Sequence, residues 1–254
     1  MSHNFDKAGD FMTVRHALVT GAASGIGRAI ATRLASEGCR VTLCDLDETK
    51  ATVVAEALRA SGGVAHVAAG DITREAECKK IHALAREAAG PVDILVNNAG
   101  IYPASPILET TEDLWDRVMD VNLKAVFLLS KTILPDMVEK GSGWVVNMAS
   151  IDGKKPGPGN SAYSAAKAGV ISLTRSMAAE MAAFGIRVNA VAPGWVGTEN
   201  ILKGERWKDA VKLIPIGRLA EPGEIAGVVA WLCSETAGYI TGEILNVNGG
   251  MLMD

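Results

Sequence analysis

Aromatic residues are scarce in this chain of 254 residues, at 5%, and cysteine occurs only four times. Cys39, Cys44, Cys78 and Cys233 form no Cys-x-x-Cys pair, and His3, His16, His66 and His82 are scattered, so neither a metal site nor a disulfide framework is expected. Free thiols fit a reducing compartment. No run of about eighteen apolar residues occurs, and the leader "MSHNFDKAGDFMTV" has no long apolar stretch, which argues against a membrane span or a secretion signal and for a cytoplasmic protein. Clustered charge is missing too. With a net formal charge of -4 and dispersed lysines and arginines, the chain shows no footprint for nucleic acid or an anionic membrane, and a small molecule is the expected partner. No Gly-x-Ser-x-Gly elbow exists and no histidine lies near Ser150, so serine-hydrolase chemistry lacks its parts.

What is present is 48% hydrophobic content in short blocks, enough to bury a sizeable core in one domain. The blocks "HALVT", "RVTLCD", "VAHVAA", "VDILVN", "GWVVNMAS", "IRVNAVAPG" and "EILNVNGG" read as strands, with helical periodicity between them. Such alternation predicts an α/β fold, a doubly wound sheet of about seven parallel strands with helices on both faces. The strands are apolar throughout, as burial on both faces requires. Two longer helical stretches, Thr111 to Lys140 and Ala162 to Phe184, flank the fifth strand. The expected domain spans residues 14–254 after a tail of residues 1–13. The charged, amphipathic segment Glu199 to Leu213 reads equally as a crossover helix or as a lid over a substrate.

After the first strand, "TGAASGIG" places Gly21, Gly25 and Gly27 at the opening of a helix. Glycines there let the chain turn tightly and let backbone approach a pyrophosphate, while the helix N-terminus offers unpaired N–H groups to the anion. Asp45 closes the second strand eighteen residues past Gly27, where a carboxylate can accept hydrogen bonds from an adenosine ribose. A 2′-phosphate at that point would face like charge at a cost of about 4 kcal/mol at 4 Å and an effective dielectric of 20. No lysine or arginine in the loop offsets it, so NAD is expected rather than NADP.

The stretch "SIDGKKPGPGNSAYSAAKAG" holds Ser150, Tyr163 thirteen residues later and Lys167 four beyond that. Tyr163 and Lys167 share one helix face, and Ser150 follows the fifth strand at the carboxyl end of the sheet, where the glycines and Asp45 also lie. A tyrosine acid/base suits hydride transfer, in which a proton leaves oxygen as hydride leaves carbon. Its reference pKa near 10 makes it a poor base, so the Lys167 ammonium, with the charge of an oxidised nicotinamide, is expected to draw it down by roughly three units.

These motifs resemble the short-chain dehydrogenase/reductase family, in its branch of about 250 residues, from Val14 to Gly250. The likeness rests on "TGAASGIG", "NNAG" (Asn97 to Gly100), Asn122 in "VNLKAVF", Ser150 with "YSAAK", and "PGWVGT" (Pro193 to Thr198). It implies Asn122, Ser150, Tyr163 and Lys167 as the catalytic set, with Asn122 holding a water that leads to Lys167. It also implies a cofactor site of Gly21, Ser24, Gly25, Ile26, Gly27, Asp45, Asp71, Ile72, Asn98, Ala99, Gly100, Tyr163 and Lys167, with Pro193, Gly194, Val196 and Thr198 at the nicotinamide end. Asp71 meets the adenine, Asn98 braces the central strands, Ile101 runs along the cofactor, residues 199–213 form the substrate lid, and a homotetramer builds on the two long helices and the last strand. Asn248 stands where relatives carry an acidic residue, and Ala149 precedes Ser150 where a second serine is usual. The basic residue that NADP-using 3-oxoacyl-carrier-protein reductases carry before Gly25 is missing.

By the same likeness, Ser150, Asp152, Asn160, Tyr163, Tyr102 and Trp195 line the substrate pocket, with Trp207 descending from the lid. This mixture of polar and aromatic groups implies a small polar secondary alcohol or ketone such as a sugar, polyol or hydroxy acid. The alternatives are a 3-oxoacyl-[acyl-carrier-protein] reductase-like ketoreductase and a non-catalytic dinucleotide sensor. Lys154, Lys155, Lys203, Arg206 and Lys208 read either as an attraction for an anionic substrate or, more readily, as solvated surface charge.

Overall fold

The first strand, β1 (His16–Thr20), is buried at every position, and its side chains alternate between two cores. Ala17 and Val19 pack with residues of α1 (Gly25–Ser36), α2 (Glu48–Ala60) and α9 (Pro222–Leu232) on one face of the sheet. Leu18 packs on the opposite face with α3 (Glu75–Ala89), α5 (Ala125–Lys140) and α6 (Ser161–Met181). Burial on both faces explains why the strands are apolar without alternation. Each fully buried leucine or isoleucine contributes about 1.5–3 kcal/mol.

The computed structural model describes residues 15–253, and both the expected tail of residues 1–13 and residue 14 lie outside them. The remaining strands are β2 (Arg40–Cys44), β3 (Val64–Val67), β4 (Ile94–Asn97), β5 (Gly143–Met148), β6 (Ile186–Pro193) and β7 (Ile244–Val247). They form one seven-stranded sheet in the order β3-β2-β1-β4-β5-β6-β7, every pair parallel, as the sequence implies. Local chemistry sets the helix ends. Asp47 accepts from the Lys50 N–H at 3.0 Å to start α2, Glu221 and Glu224 form a capping box around Pro222 at the start of α9, and Gly141, at φ 72°, ends α5.

The long helical stretch expected from residue 111 to 140 differs from a plain α-helix. It runs as α4 (Glu112–Met119), one π turn over Asp120–Lys124, and then α5. A π turn widens the helix by one residue and marks functional positions more often than chance. Here it carries Asn122. Likewise, residues 199–213 form two short helices rather than one, α7 (Glu199–Leu202) and α8 (Arg206–Val211), separated around Gly204. Among the described residues no helix is long and apolar enough to cross a membrane, and no cluster of metal-ligating side chains occurs. All four cysteines are buried thiols, and none is in a disulfide.

Candidate active site

The strand order reverses between β1 and β4, and this switch point opens a crevice at the carboxyl edge of the sheet. Its two sides are tied together by side chains. Thr20 Oγ1 accepts from the backbone N–H groups of Asn98 and Ala99 at 2.9 and 3.0 Å, and Asn98 Nδ2 donates to the Thr20 and Gly21 carbonyls at 2.9 and 3.3 Å. Gly21 takes φ 62°, a left-handed conformation that costs a side-chain-bearing residue energy. At Gly27 a Cβ would stand 2.1 Å from the Gly21 carbonyl oxygen and 2.5 Å from Asn98 Nδ2, so only glycine lets α1 approach the loop this closely. Ser24, the N-cap of α1, makes no side-chain cap hydrogen bond, and no acidic residue occupies the first turn. The Glu199 carboxylate, paired with Arg28, reaches the Gly25 N–H, and the other leading N–H groups have no side-chain cap and can face an anion.

Two carboxylates stand along the outer part of the crevice. Asp45 accepts from the Ala23 N–H at 3.0 Å and from the Asp47 N–H at 3.1 Å, so it serves the local turn while facing the crevice. Asp71 accepts from the Thr73 N–H and hydroxyl at 3.0 and 2.7 Å, and that hydrogen bonding holds its carboxyl below the usual range. The resulting cleft has a volume of about 400 Å³, and Ser24, Ile26, Ile72, Ala99 and Gly100 complete its expected lining. A close-contact loop, free helix N–H groups and acidic residues along the outer crevice fit a dinucleotide.

A second cavity of about 260 Å³ adjoins the first and shares Ile26, Asn98, Gly100, Tyr102 and Thr198 with it. Ser150, Tyr163, Lys167 and Asn122 meet there. Pro193, Gly194 and Val196, expected at the nicotinamide end of the cofactor site, line this cavity rather than the larger cleft. Ser150 hydrogen-bonds the Tyr163 phenol, and its Oγ also accepts from the Asp152 N–H at 3.1 Å. Lys167 Nζ is buried and donates to the Met148 carbonyl at 2.7 Å. Asn122, fully buried in the π turn, donates to the Ile101 and Val118 carbonyls at 2.9 and 3.0 Å and accepts from the Ile101 N–H at 3.3 Å. All of its polar atoms are engaged by backbone.

From the chain's own groups the Tyr163 phenol is raised, whereas the expected lowering also counted the charge of an oxidised nicotinamide. Burial pushes the Tyr163 phenol up to about 12, with the Ser150 hydrogen bond opposing the rise and the Asp152 charge reinforcing it. Burial lowers Lys167 to about 8. Nζ of Lys167 stands 5.7 Å from the centre of the Tyr163 ring and donates to Met148, and with its own pKa lowered to about 8 it has lost its charge by the pH at which the phenol ionises, so burial decides the phenol's value.

Tyr102, Trp195, Asp152 and Asn160 also line the smaller cavity, and the Tyr102 and Tyr163 rings meet edge-on with centres 6.3 Å apart. Asn160 Nδ2 donates to Asp152 Oδ2 at 3.3 Å, and burial raises the Asp152 carboxyl above its ordinary range. Trp207 departs from expectation. It is half-buried but absent from the cavity wall, where its neighbour Arg206 and Ile201 stand instead, because adjacent helix positions point about 100° apart. Arg206, which the sequence offers either as an attraction for an anion or as surface charge, lines the cavity, while residues that sequence reasoning missed include Ile201 and Met148 here, and Leu46, Thr73, Arg117 and Val121 around the cleft.

Missed as well was a chain of buried amides and hydroxyls that positions the helix bearing Tyr163. Asn97 Nδ2 donates to Ser130 Oγ at 3.0 Å and to Asn147 Oδ1 at 2.8 Å, and Asn147 Nδ2 donates to Thr174 Oγ1 at 3.0 Å. This chain joins β4, β5, α5 and α6. The available signal was an asparagine inside each of two otherwise apolar strands, since a buried amide without partners would be destabilising.

A switch-point crevice with a glycine loop, and a Ser150, Tyr163 and Lys167 set in the adjoining cavity, define a dinucleotide-dependent oxidoreductase architecture. This chain belongs to the short-chain dehydrogenase/reductase family. The family model described as Enoyl-(Acyl carrier protein) reductase matches residues 21–252. Nodulation protein G of Azospirillum brasilense is 42% identical over 94% of this chain and 99% of its own length. A 3-oxoacyl-[acyl-carrier-protein] reductase FabG of Vibrio cholerae is 43% identical over 93% of this chain and 97% of its own length. The crystal structure of gox2181 superposes with a TM-score of 0.91 at 37% identity, covering 93% of this chain and 95% of that one.

Proposed function

We propose that this protein interconverts a ketone and a secondary alcohol by hydride transfer with NAD(H). The observation that carries the reading is the convergence of Ser150, Tyr163 and Lys167 on one cavity beside the glycine-lined crevice. A bound nicotinamide supplies or accepts the hydride. The chain's own residues place the substrate oxygen and handle its proton: Ser150 orients that oxygen, and the Tyr163 hydroxyl donates to it as hydride reaches the carbonyl carbon. With burial pushing its pKa up to about 12, the phenol carries its proton at neutral pH and can donate it to the substrate oxygen in the reductive direction. Lys167 holds α6 against β5 through Met148 and, at about 8, is itself close to titrating.

For the substrate, reduction of a 3-oxoacyl group is the leading class, supported by several relatives named 3-oxoacyl-[acyl-carrier-protein] reductase at about 40% identity. A second reading, a small polar hydroxy or oxo compound, is favoured by Asp152, Asn160 and Arg206 on the cavity wall. Asp45 supports NAD(H) over NADP(H) under either reading. In keeping with the family resemblance, the protein is further proposed to work in the cytoplasm as a homotetramer, which light scattering tests. Steady-state kinetics with NADH and NADPH side by side, over 3-oxoacyl thioesters, short oxo acids, sugars and polyols, test the reaction. Turnover of no ketone or alcohol with either cofactor would refute it.

A further inference from the structure

The lid bears several cations, and the structure separates them. Lys208 is paired with Glu205 at 2.6 Å and Lys212 with Asp209 at 2.7 Å, both exposed pairs within α8 and its flanks. Such pairs are solvated surface charge, worth little and directed nowhere. Lys203 is exposed and lines neither cavity. Arg206 differs. It forms part of the wall of the cavity that holds Ser150 and Tyr163, and among the described residues no carboxylate lies within ion-pair distance of its guanidinium.

The acidic group it senses is Asp152, whose carboxyl it pulls downward against the effect of burial. Asp152 already accepts from the Asn160 amide. The cavity's other cation, Lys167, is buried, unlike the exposed Arg206, and is committed to the Met148 carbonyl. One face of the cavity thus carries hydrogen-bonding groups for an uncharged oxygen, and the lid face carries an unpaired planar cation, suited to a bidentate carboxylate.

We propose that Arg206 is a specificity-determining residue that binds a carboxylate of the substrate, so that the preferred ketone is a short oxo acid. The inference rests on the hydride-transfer reading and, within it, takes the second substrate class, a small polar oxo compound, over the 3-oxoacyl class. Arg206 lines the same cavity of about 260 Å³ as Ser150 and Tyr163, so a substrate that meets both the cation and the catalytic hydroxyls is a short one. A phosphate carried on a pantetheine arm lies many bonds from its thioester carbonyl. The same guanidinium would not reach it while the ketone sits at Ser150.

The test uses the full chain with NADH and three probes: 3-oxobutanoate, its methyl ester and its coenzyme A thioester. In the wild type, kcat/KM for the carboxylate is expected to exceed that for the ester by at least about tenfold, the size of one added charge-assisted contact. Arg206→Gln brings that ratio close to one by raising KM for the carboxylate, leaves the ester within about twofold, and Arg206→Lys restores part of the preference. A ratio near one in the wild type, a thioester loss in Arg206→Gln equal to the carboxylate loss, or an equal loss on all three probes overturns the assignment. Calorimetric titration of the NADH-saturated Tyr163→Phe protein with the carboxylate and the ester reads the same discrimination without turnover. Carboxylate-selective binding with no reduction of any probe by the wild type would sink the hydride-transfer reading and sustain Arg206, whereas reduction of ester and carboxylate alike would do the reverse.

Discussion

The two adjoining cavities are built by different means. The cleft proposed to hold the cofactor is made largely of backbone: a left-handed Gly21, the packing of Gly27 against the Gly21 carbonyl, the N–H groups that start α1, and Asn98 tying β1 to β4. The substrate cavity is made of side chains from separate segments after β4, after β5, at α6, after β6 and in α8. A backbone site needs particular residues at particular spacings. A side-chain site can be relined without moving the sheet, so the first region defines the family and the second the individual enzyme.

Separate damage to each region checks this division. The largest effect belongs to Tyr163→Phe, which keeps the ring and its edge-on contact with Tyr102 but removes the proton donor. Turnover is expected to fall by about 10²–10⁴-fold, with NADH binding unchanged by fluorescence titration. Retention of more than about a tenth of the rate would end its role as acid. Next is Gly27→Ala, where the new methyl meets the Gly21 carbonyl. NADH affinity should drop by about a hundredfold while far-UV circular dichroism stays that of the folded chain; unaltered affinity would move the cofactor elsewhere.

Asp45→Ala acts on the same cleft without disturbing its backbone contacts to the same degree. Wild-type kcat/KM should favour NADH over NADPH by at least about tenfold, and the variant should narrow the gap, because like-charge repulsion of about 4 kcal/mol is removed. Equal use of both cofactors by the wild type would contradict the reading. The smallest effect concerns stability. Folded Lys167 sits at about 8 against an ordinary 10.5, so between those pH values the unfolded chain binds more protons and stability gains as pH rises. Tyr163, raised to about 12 from 10, works in the opposite sense above pH 10. Wild-type Tm should therefore gain on that of Lys167→Met by about 4–9 °C from pH 8 to 10, from about 2 kcal/mol at about 2–4 °C per kcal/mol. A constant difference would show that the ammonium is not desolvated.

Much of the fold was legible because its signals are local. Seven apolar blocks bounded by turn residues became seven parallel strands, and the Gly21, Gly25 and Gly27 spacing marked the crevice before any coordinates. What escaped depends on rotation and depth. The π turn around Asn122 shifts helix phase by one residue, which hydrophobic periodicity does not resolve. In α8, whether Arg206 or Trp207 faces the cavity depends on how a six-residue helix is turned, and a helix so short has too few apolar positions to define a face. Spacing placed Lys167 and Tyr163 on one helix face but did not reveal that the phenol is deep enough for burial to raise it, nor that Lys167 Nζ bonds to Met148.

The most direct test of the central claim follows deuterium from NADH labelled at the transferable position of the ring into the ketone that the wild type reduces best. If the crevice and the Ser150, Tyr163 and Lys167 cavity act together as described, label appears on the new carbinol carbon, solvent deuterium does not, and Tyr163→Phe abolishes the transfer while still binding NADH. Product without label, or label transferred at an undiminished rate by Tyr163→Phe, would contradict the account.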